Sequence, residues 1–358
     1  MTAGQPDADA VASMDVGCDA LDPTLRRALA RLARAQEDRD PIEIQGLKSR
    51  RARRMSYFVG RCTPSRYGTV VHWGVVLKQC SPRRAGELVT LHQALRRALS
   101  RADELPAAPR IVSARAQDGW IALEAWPGLM MAGFPDPARR ARHAARAGSL
   151  LASLEGSRRA RRWWPGRGWT VDDEMRRLEE VWERAGEALP GWTPELARGL
   201  ARSDAAPVPA HRDLNSEQVI VGPLAADTEA SARWWIDWDQ AALAPQGLDL
   251  GNLLAHERLG AVQAGGDGAE FDALRGGALT SYRNGGGRAT VHELAAWEAV
   301  ACLRLAALSL QRARGDDPIT RNPAWLPAPS VRREEGVAMR RAARELFPAA
   351  RAGSRRNR

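Results

Sequence analysis

The chain has 358 residues, 44% of them hydrophobic, and carries 53 Lys and Arg against 43 Asp and Glu, for a formal charge of +10. That length leaves room for one large or two ordinary domains with a substantial core. No run of about 18 apolar residues argues for a membrane span, and four scattered cysteines (Cys18, Cys62, Cys80, Cys302) have neither zinc spacing nor a disulfide framework and read as small buried hydrophobes.

Residues 1–20 are acidic, lack hydrophobic periodicity and read as disordered. They also lack the basic start and apolar run of a signal peptide, so the cytoplasm is the expected location. Asp22 and Pro23 open a helix through LRRALARLARAQ. PIEIQGL then alternates as a strand does, and RRARRMSYFVGRC, TVVHWGVVLKQC, RIVSAR and GWIALEAW read as further strands of one small antiparallel sheet. Between them GELVTLHQALRRALSRA places Leu88, Leu91, Leu95 and Leu99 at helical spacing. Pro127-Gly128 breaks the last strand.

From Asp136 onward the pattern is helical. PARRARHAARAGSLLASLEGS, VDDEMRRLEEVWERAGEAL (opened by Asp172 and Asp173) and PELARGLARS read as helices. The turn-rich RRWWPGRGWT interrupts them, and its tryptophans, Trp163, Trp164 and Trp169, read as packing residues. Further helices follow in EFDALRGGALTSYR, HELAAWEAVACLRLAALSLQRAR and VRREEGVAMRRAARELF, with a turn at Gly285–Gly287 and a mobile basic tail. The organisation expected is therefore a disordered start at 1–20, an α+β lobe at 21–125, a mainly helical lobe at 126–348 and a tail at 349–358.

The chemistry concentrates at 207–254. PVPA leads into His211-Arg212-Asp213, Gln218 opens the apolar run VIVG, and RWWI ends at Asp237 with Asp239 two residues on. Asp249 precedes a helical segment, LGNLLAH. Alternate residues of a strand share a face, so a hairpin here would bring Asp213, Gln218 and Asp237 to one end of one small sheet. An oxygen cluster of that kind suits a hard cation such as magnesium, with one carboxylate left to orient a hydroxyl. The insert GPLAADTEASAR lengthens the hairpin tip.

His211-Arg212-Asp213 with an amide five positions after the Asp resembles the catalytic loop of the protein-kinase-like superfamily. Asp237 in Ile-Asp-Trp-Asp resembles its second metal-binding Asp, and APQGLDLGNLL resembles the aminoglycoside phosphotransferase and choline kinase branch. The resemblance implies a two-lobed protein-kinase-like α+β fold, ATP and Mg²⁺ as cofactors, and phosphoryl transfer to a hydroxyl of a small molecule resembling an aminoglycoside, choline or a sugar. It makes Asp213 the catalytic base or hydroxyl-orienting residue, Gln218 and Asp237 the magnesium ligands, and His211 and Asp249 supports of the loop. Lys78, at the end of a strand, would hold nucleotide phosphates paired with Glu87, and the adenine would meet the backbone around Glu124 to Trp126. In this branch the acceptor binds between the C-terminal helices and the catalytic loop. Asp172, Asp173, Glu257, Glu293 and Arg304 are the charges at hand there, with solvated helix faces as their default reading.

Two positions depart from the family pattern. Gln218 stands where Asn is usual, one methylene longer but with the same carbonyl oxygen, and Asn215 stands where a phosphate-contacting Lys or His is common. These departures keep open a second reading, an impaired member that binds nucleotide or metabolite as a regulator or scaffold. Only about a dozen residues between Asp237 and Asp249, with no Ala-Pro-Glu, argue against a protein kinase. The arginines are spread along helices without a zinc-finger or RNP signature, which argues against a nucleic-acid partner. Lys48 and Lys78 are the only lysines, so Arg is the default cation of this chain.

Overall fold

A computed structural model describes residues 43–50, 54–65, 68–99, 105–134, 136–165, 168–203, 205–222, 233–265, 268–314 and 329–355. The helix expected after Asp22, most of the hairpin insert and the proline-rich loop near 321–328 lie outside the described residues.

Chain contacts divide the molecule into two units. Of the described residues, one takes in those up to Thr90 and Pro109–Pro127, the other those of Leu91–Ala108 and from Gly128 on, so the division falls inside a helix. The first unit holds strands β1 (Glu43–Arg50), β2 (Arg54–Ser65) and β3 (Gly68–Gln79), then helix α1 (Pro82–Leu99), β4 (Ile111–Arg115) and β5 (Trp120–Ala125). The five strands form an antiparallel sheet in the order β1-β2-β3-β5-β4. Val59, Val75 and Ala122 are fully buried from three neighbouring strands, with Leu77, Val112 and Trp120 packed around them. Alternation thus assigns one face of β3 to this cluster and leaves Lys78, opposite Ile121, on the other.

The second unit continues with β6 (Leu129–Met130) and the helices α2 (Pro137–Gly156), α3 (Arg158–Trp163), α4 (Val171–Arg184) and α5 (Thr193–Ala201). Strands β7 (Val208–Ala210), β8 (Val219–Val221), β9 (Trp234–Trp235) and β10 (Ala242–Ala244) follow. Helices α6 (Leu248–Gln263), α7 (Ala269–Asn284), α8 (Val291–Ala313) and α9 (Pro329–Arg355) complete it. The helix starts follow capping chemistry. Asp136 accepts from the Ala138 N–H at 2.9 Å with Pro137 in the first turn. Thr170 with Asp173 and Thr290 with Glu293 each close a capping box. The helix α8 is the axis of the core, buried without a break from Leu294 to Ala307. Against it pack Met175, Leu178 and Trp182 of α4 and Met339, Ala343 and Leu346 of α9.

Three expectations change. The segment 207–244 does not make one sheet: β7 pairs with β10, whereas β8 lies between β6 and β9. The strand Ala-Leu-Ala at β10 has neither β-branching nor length to announce itself, and it captures β7 away from the β8–β9 hairpin. Part of the interrupting segment is helical, because Ser157 caps α3 by accepting from the Ala160 N–H at 3.1 Å. Finally, α9 continues to Arg355, into the stretch read as a mobile tail.

Candidate functional site

Strand β7 ends at Ala210 and delivers His211, Arg212 and Asp213 into a tight loop. Arg212 has φ 70°, a left-handed conformation rare for a residue with a Cβ. Asp249, on the first turn of α6, holds it there: Oδ2 accepts from the His211 N–H and Oδ1 from the Arg212 N–H, both at 2.6 Å. Asp249 is buried, and burial pushes its carboxyl above the usual range while His211 and the two donated bonds oppose the rise. The His211 ring is fully buried beside Trp238, with ring centroids 4.6 Å apart. Its Nε2 lies 2.8 Å from the Ile236 carbonyl. A carbonyl only accepts, so Nε2 is the donor of this pair.

After Asp213 the chain turns on Asn215, whose Oδ1 accepts from the Glu217 N–H at 2.9 Å and whose Nδ2 donates to the Asp213 carbonyl at 3.2 Å. Asn215 is thus a turn-former, and it adds no charge to the loop. Gln218 then takes up the β8 register, its carbonyl accepting from the Ile236 N–H at 2.9 Å. This sets Gln218 beside the Ile236-Asp237 step. Asp237 itself is left-handed, φ 62°, and opens a 3₁₀ turn over Trp238–Gln240. The Gln218 side chain is 8% exposed, yet its Oε1 has no hydrogen-bond partner. Such an oxygen is costly unless something else fills it.

Beneath the loop lies a ring of polar contacts. Asn252 of α6 donates to the Leu214 carbonyl at 2.8 Å and accepts from Arg304 NH2. Arg304 NH1 donates to Glu174 at 3.1 Å, and Glu174 also accepts from Trp169 Nε1 at 3.0 Å. Trp169 carries the Arg212 guanidinium 3.3 Å above its ring. Arg212 NH1 donates to the Gln240 carbonyl at 3.2 Å, and Arg177 NH1 donates to the Gln240 side chain at 3.0 Å. Burial pushes Arg212 down to about 10.

A second support reaches the start of α6. Glu155 of α2 accepts from the Gly247 N–H at 2.9 Å and from the Tyr282 hydroxyl at 2.5 Å. Gly247 is left-handed, φ 77°, which a glycine adopts without strain. Burial pushes the Glu155 carboxyl up to about 7 against those two bonds.

In the sheet unit, Lys78 is half-buried on β3. Glu87 does not pair with it. Its carboxylate faces outward on α1, bonded to Arg83 at 3.2 Å and Arg84 at 3.1 Å. Leu88 and Leu95 claim the inner face of that helix and turn Glu87 to solvent. Glu124 forms a two-pronged ion pair with Arg110 at 2.8 and 2.6 Å, and its N–H donates to the Arg110 carbonyl at 2.8 Å. Trp126, half-buried, follows the end of β5.

Several of these residues had no sequence signal of their own. Glu155 shows only as an acid within the apolar stretch SLLASLEG, Tyr282 as one of three tyrosines, and Glu174 and Arg304 as charges on helices. Glu257 and Arg304 are buried and not on solvated faces, whereas Asp173 and Glu293 serve as helix caps. Trp164 packs as expected, but Trp169 belongs to the ring under the loop.

No family model and no curated protein sequence matches the chain. Solved structures do. A protein from Ralstonia eutropha assigned as an aminoglycoside phosphotransferase superposes with a TM-score of 0.57 at 14% identity, covering 89% of this chain and 98% of that one. A choline/ethanolamine kinase family protein from Mesorhizobium loti gives 0.51 at 18% identity, covering 92% and 99%. The GDP and kanamycin complex of APH(2″)-IIIa gives 0.51 at 13% identity, covering 88% and 98%. The chain therefore has the protein-kinase-like α+β fold, in the form shared by aminoglycoside phosphotransferases and choline/ethanolamine kinases.

Proposed function

We propose that this protein is an ATP-dependent phosphotransferase acting on a hydroxyl of a small molecule. The observation that carries the reading is the loop itself: Asp213 follows two residues whose N–H groups are clamped by buried Asp249, and Gln218, whose side-chain oxygen has no partner, is bonded through its backbone carbonyl to Ile236, the residue before Asp237. In the reaction the acceptor oxygen attacks the γ-phosphorus, the bond to the β-phosphate oxygen breaks, ADP leaves and the hydroxyl proton passes to Asp213. Catalysis of this kind depends on position and charge more than on covalent chemistry, which fits a loop fixed at every turn.

The donor set suits magnesium. Among the described residues no three His, Cys, Asp or Glu side chains gather as a metal site. One carboxylate plus one buried amide oxygen is a set that magnesium accepts when waters and substrate phosphates complete its shell. Gln218 and Asp237 would hold the ion, whose charge would offset that of the phosphates. Lys78 remains the proposed phosphate contact of the sheet unit, and the backbone near Glu124 and Trp126 the proposed adenine contact; Glu87, bonded to its neighbouring arginines, is withdrawn from the set. The GDP found with APH(2″)-IIIa supports a nucleotide site.

The test is thermal unfolding with ATP and magnesium, singly and together. At about a hundred times the dissociation constant the pair stabilises the fold by ~2.7 kcal/mol. The shift should need both ligands and vanish in Asp237→Ala. Asp213→Asn should keep the shift and lose ADP release. A second reading, a nucleotide-binding regulator without turnover, is favoured by the uncharged Asn215 turn. It predicts stabilisation by ATP alone and no ADP release with any acceptor.

A further inference from the structure

The charges around Asp213 bear on the acceptor, an inference that rests on the phosphotransferase reading. Within the helical unit, three arginines from three elements lie around the loop: Arg212 of the loop itself and Arg177 of α4 both bond Gln240, Arg177 also feels the Asp213 charge, and Arg304 of α8 reaches the loop through Asn252. Two of the acids beside them are already committed. Glu174 neutralises Arg304 at 3.1 Å, and Asp249 accepts two backbone N–H groups.

That leaves two guanidiniums without a carboxylate among the described residues. Arg212 is 8% exposed, bonded to a carbonyl and stacked on Trp169, with its Nε unpartnered. Arg177 is half-buried and satisfied only by the neutral Gln240 amide. Burial pushes the Arg177 guanidinium down and Arg304 adds to that, while Glu174 and Asp213 oppose it, so the Asp213 charge is felt at Arg177. His256, one turn beyond Asn252 on α6, is pushed down to about 4 by burial and by Arg304, and so is neutral near pH 7.

A polycationic acceptor would face these guanidiniums with Asp213 as its main counter-charge. An acceptor bearing an anion would relieve them. The planar guanidinium fork is suited to carboxylate and phosphate oxygens alike. Partial burial makes an unpaired Arg expensive until such a partner arrives. Glu257 is the countervailing group. It reaches the loop at Ser216 and lies 3.7 Å from Arg140, but its Oε1 has no partner. A cationic acceptor would have to use that oxygen.

We propose that the acceptor carries an anionic group, a carboxylate or a phosphate monoester, near the hydroxyl that receives the phosphoryl group, and that Arg177 recognises it.

The experiment is ADP release over matched hydroxyl acceptors: hydroxy acids, sugar phosphates, the parent sugars, choline, ethanolamine and aminoglycosides. Turnover should be confined to the anionic members, with hydroxy acids and sugar phosphates separating the two anion classes. Arg177→Gln should raise KM for the preferred acceptor at least about tenfold, the loss expected for a charged hydrogen bond. It should leave the stabilisation by ATP and magnesium unchanged, and Arg177→Lys should recover part of the KM. Turnover of cationic acceptors alone, abolished by Glu257→Gln, would overturn the proposal and leave the kinase standing. An unchanged KM in folded Arg177→Gln would remove Arg177 from the recognition. No ADP release with any acceptor, from protein that ATP and magnesium do not stabilise, would overturn the proposal together with the phosphotransferase reading.

Discussion

Glu155 offers the sharpest quantitative test of the fold's internal electrostatics. Its carboxyl is buried between the Gly247 N–H and the Tyr282 hydroxyl, and is raised from 4.5 to about 7. Desolvation outweighs the two donated bonds, and the Asp249 and Glu293 charges add to it. A raised carboxyl means that folding takes up a proton. Its contribution to stability is fully present below about pH 4.5 and is lost as the pH rises through about 7. At about 1.4 kcal/mol per pH unit, the loss reaches about 3 kcal/mol by about pH 8.

Glu155→Gln mimics the protonated side chain in shape and hydrogen bonding. The variant should match the parent near pH 4.5 and exceed it by about 3 kcal/mol near pH 8. Urea unfolding of both proteins at half-unit pH steps measures that difference directly, and contributions from other groups cancel. A difference that stays flat within about 1 kcal/mol across the range would refute the argument. So would a parent that gains on the variant as the pH rises.

Three further outcomes follow from other contacts. Asp249→Ala leaves two buried N–H groups without acceptors and should cost about 2–6 kcal/mol in chemical denaturation, with Asp249→Asn costing less because one acceptor survives. Arg304→Ala strands Glu174 and should cost about 3–5 kcal/mol, part of which the double variant with Glu174→Ala regains; a cycle of four unfolding measurements gives the coupling. Gly251→Ala would put a Cβ 2.6 Å from the backbone of Trp297 and Glu298, forcing α6 off α8. It should lower stability by about 1–3 kcal/mol or more, read as a drop in melting temperature.

Much of this architecture is legible in the sequence because it is periodic or punctuated. The strands of the first sheet alternate, the helices space their leucines, and the helical region opens at Asp136, which caps α2. The candidate site residues stand out for another reason: His211, Asp213, Gln218, Asp237 and Asp249 come in a set order, each at one end of an apolar run or the start of a helix, and the structure clamps the first of them through Asp249. Contacts between distant elements do not. Nothing near Glu87 reveals that Arg83 and Arg84 hold its carboxylate, because nine residues from Lys78 looks close on paper while the helix face decides. Likewise Glu174 and Arg304 are 130 positions apart, and only the docking of α4 on α8 makes them a pair.

That last separation has a consequence for how the protein assembles. The shape of the loop is specified by partners 37 to 38 positions away in α6, which are in turn held by Arg304, 52 positions beyond Asn252. Each of these contacts closes a long stretch of chain, so each forms late and slowly compared with the helices that supply its atoms. Strand β7 and the turn after it should be among the last parts of the helical unit to order during refolding, with substitutions there speeding unfolding and leaving the folding rate nearly untouched. A nascent chain released before α8 emerges would carry every residue of the loop and lack its form.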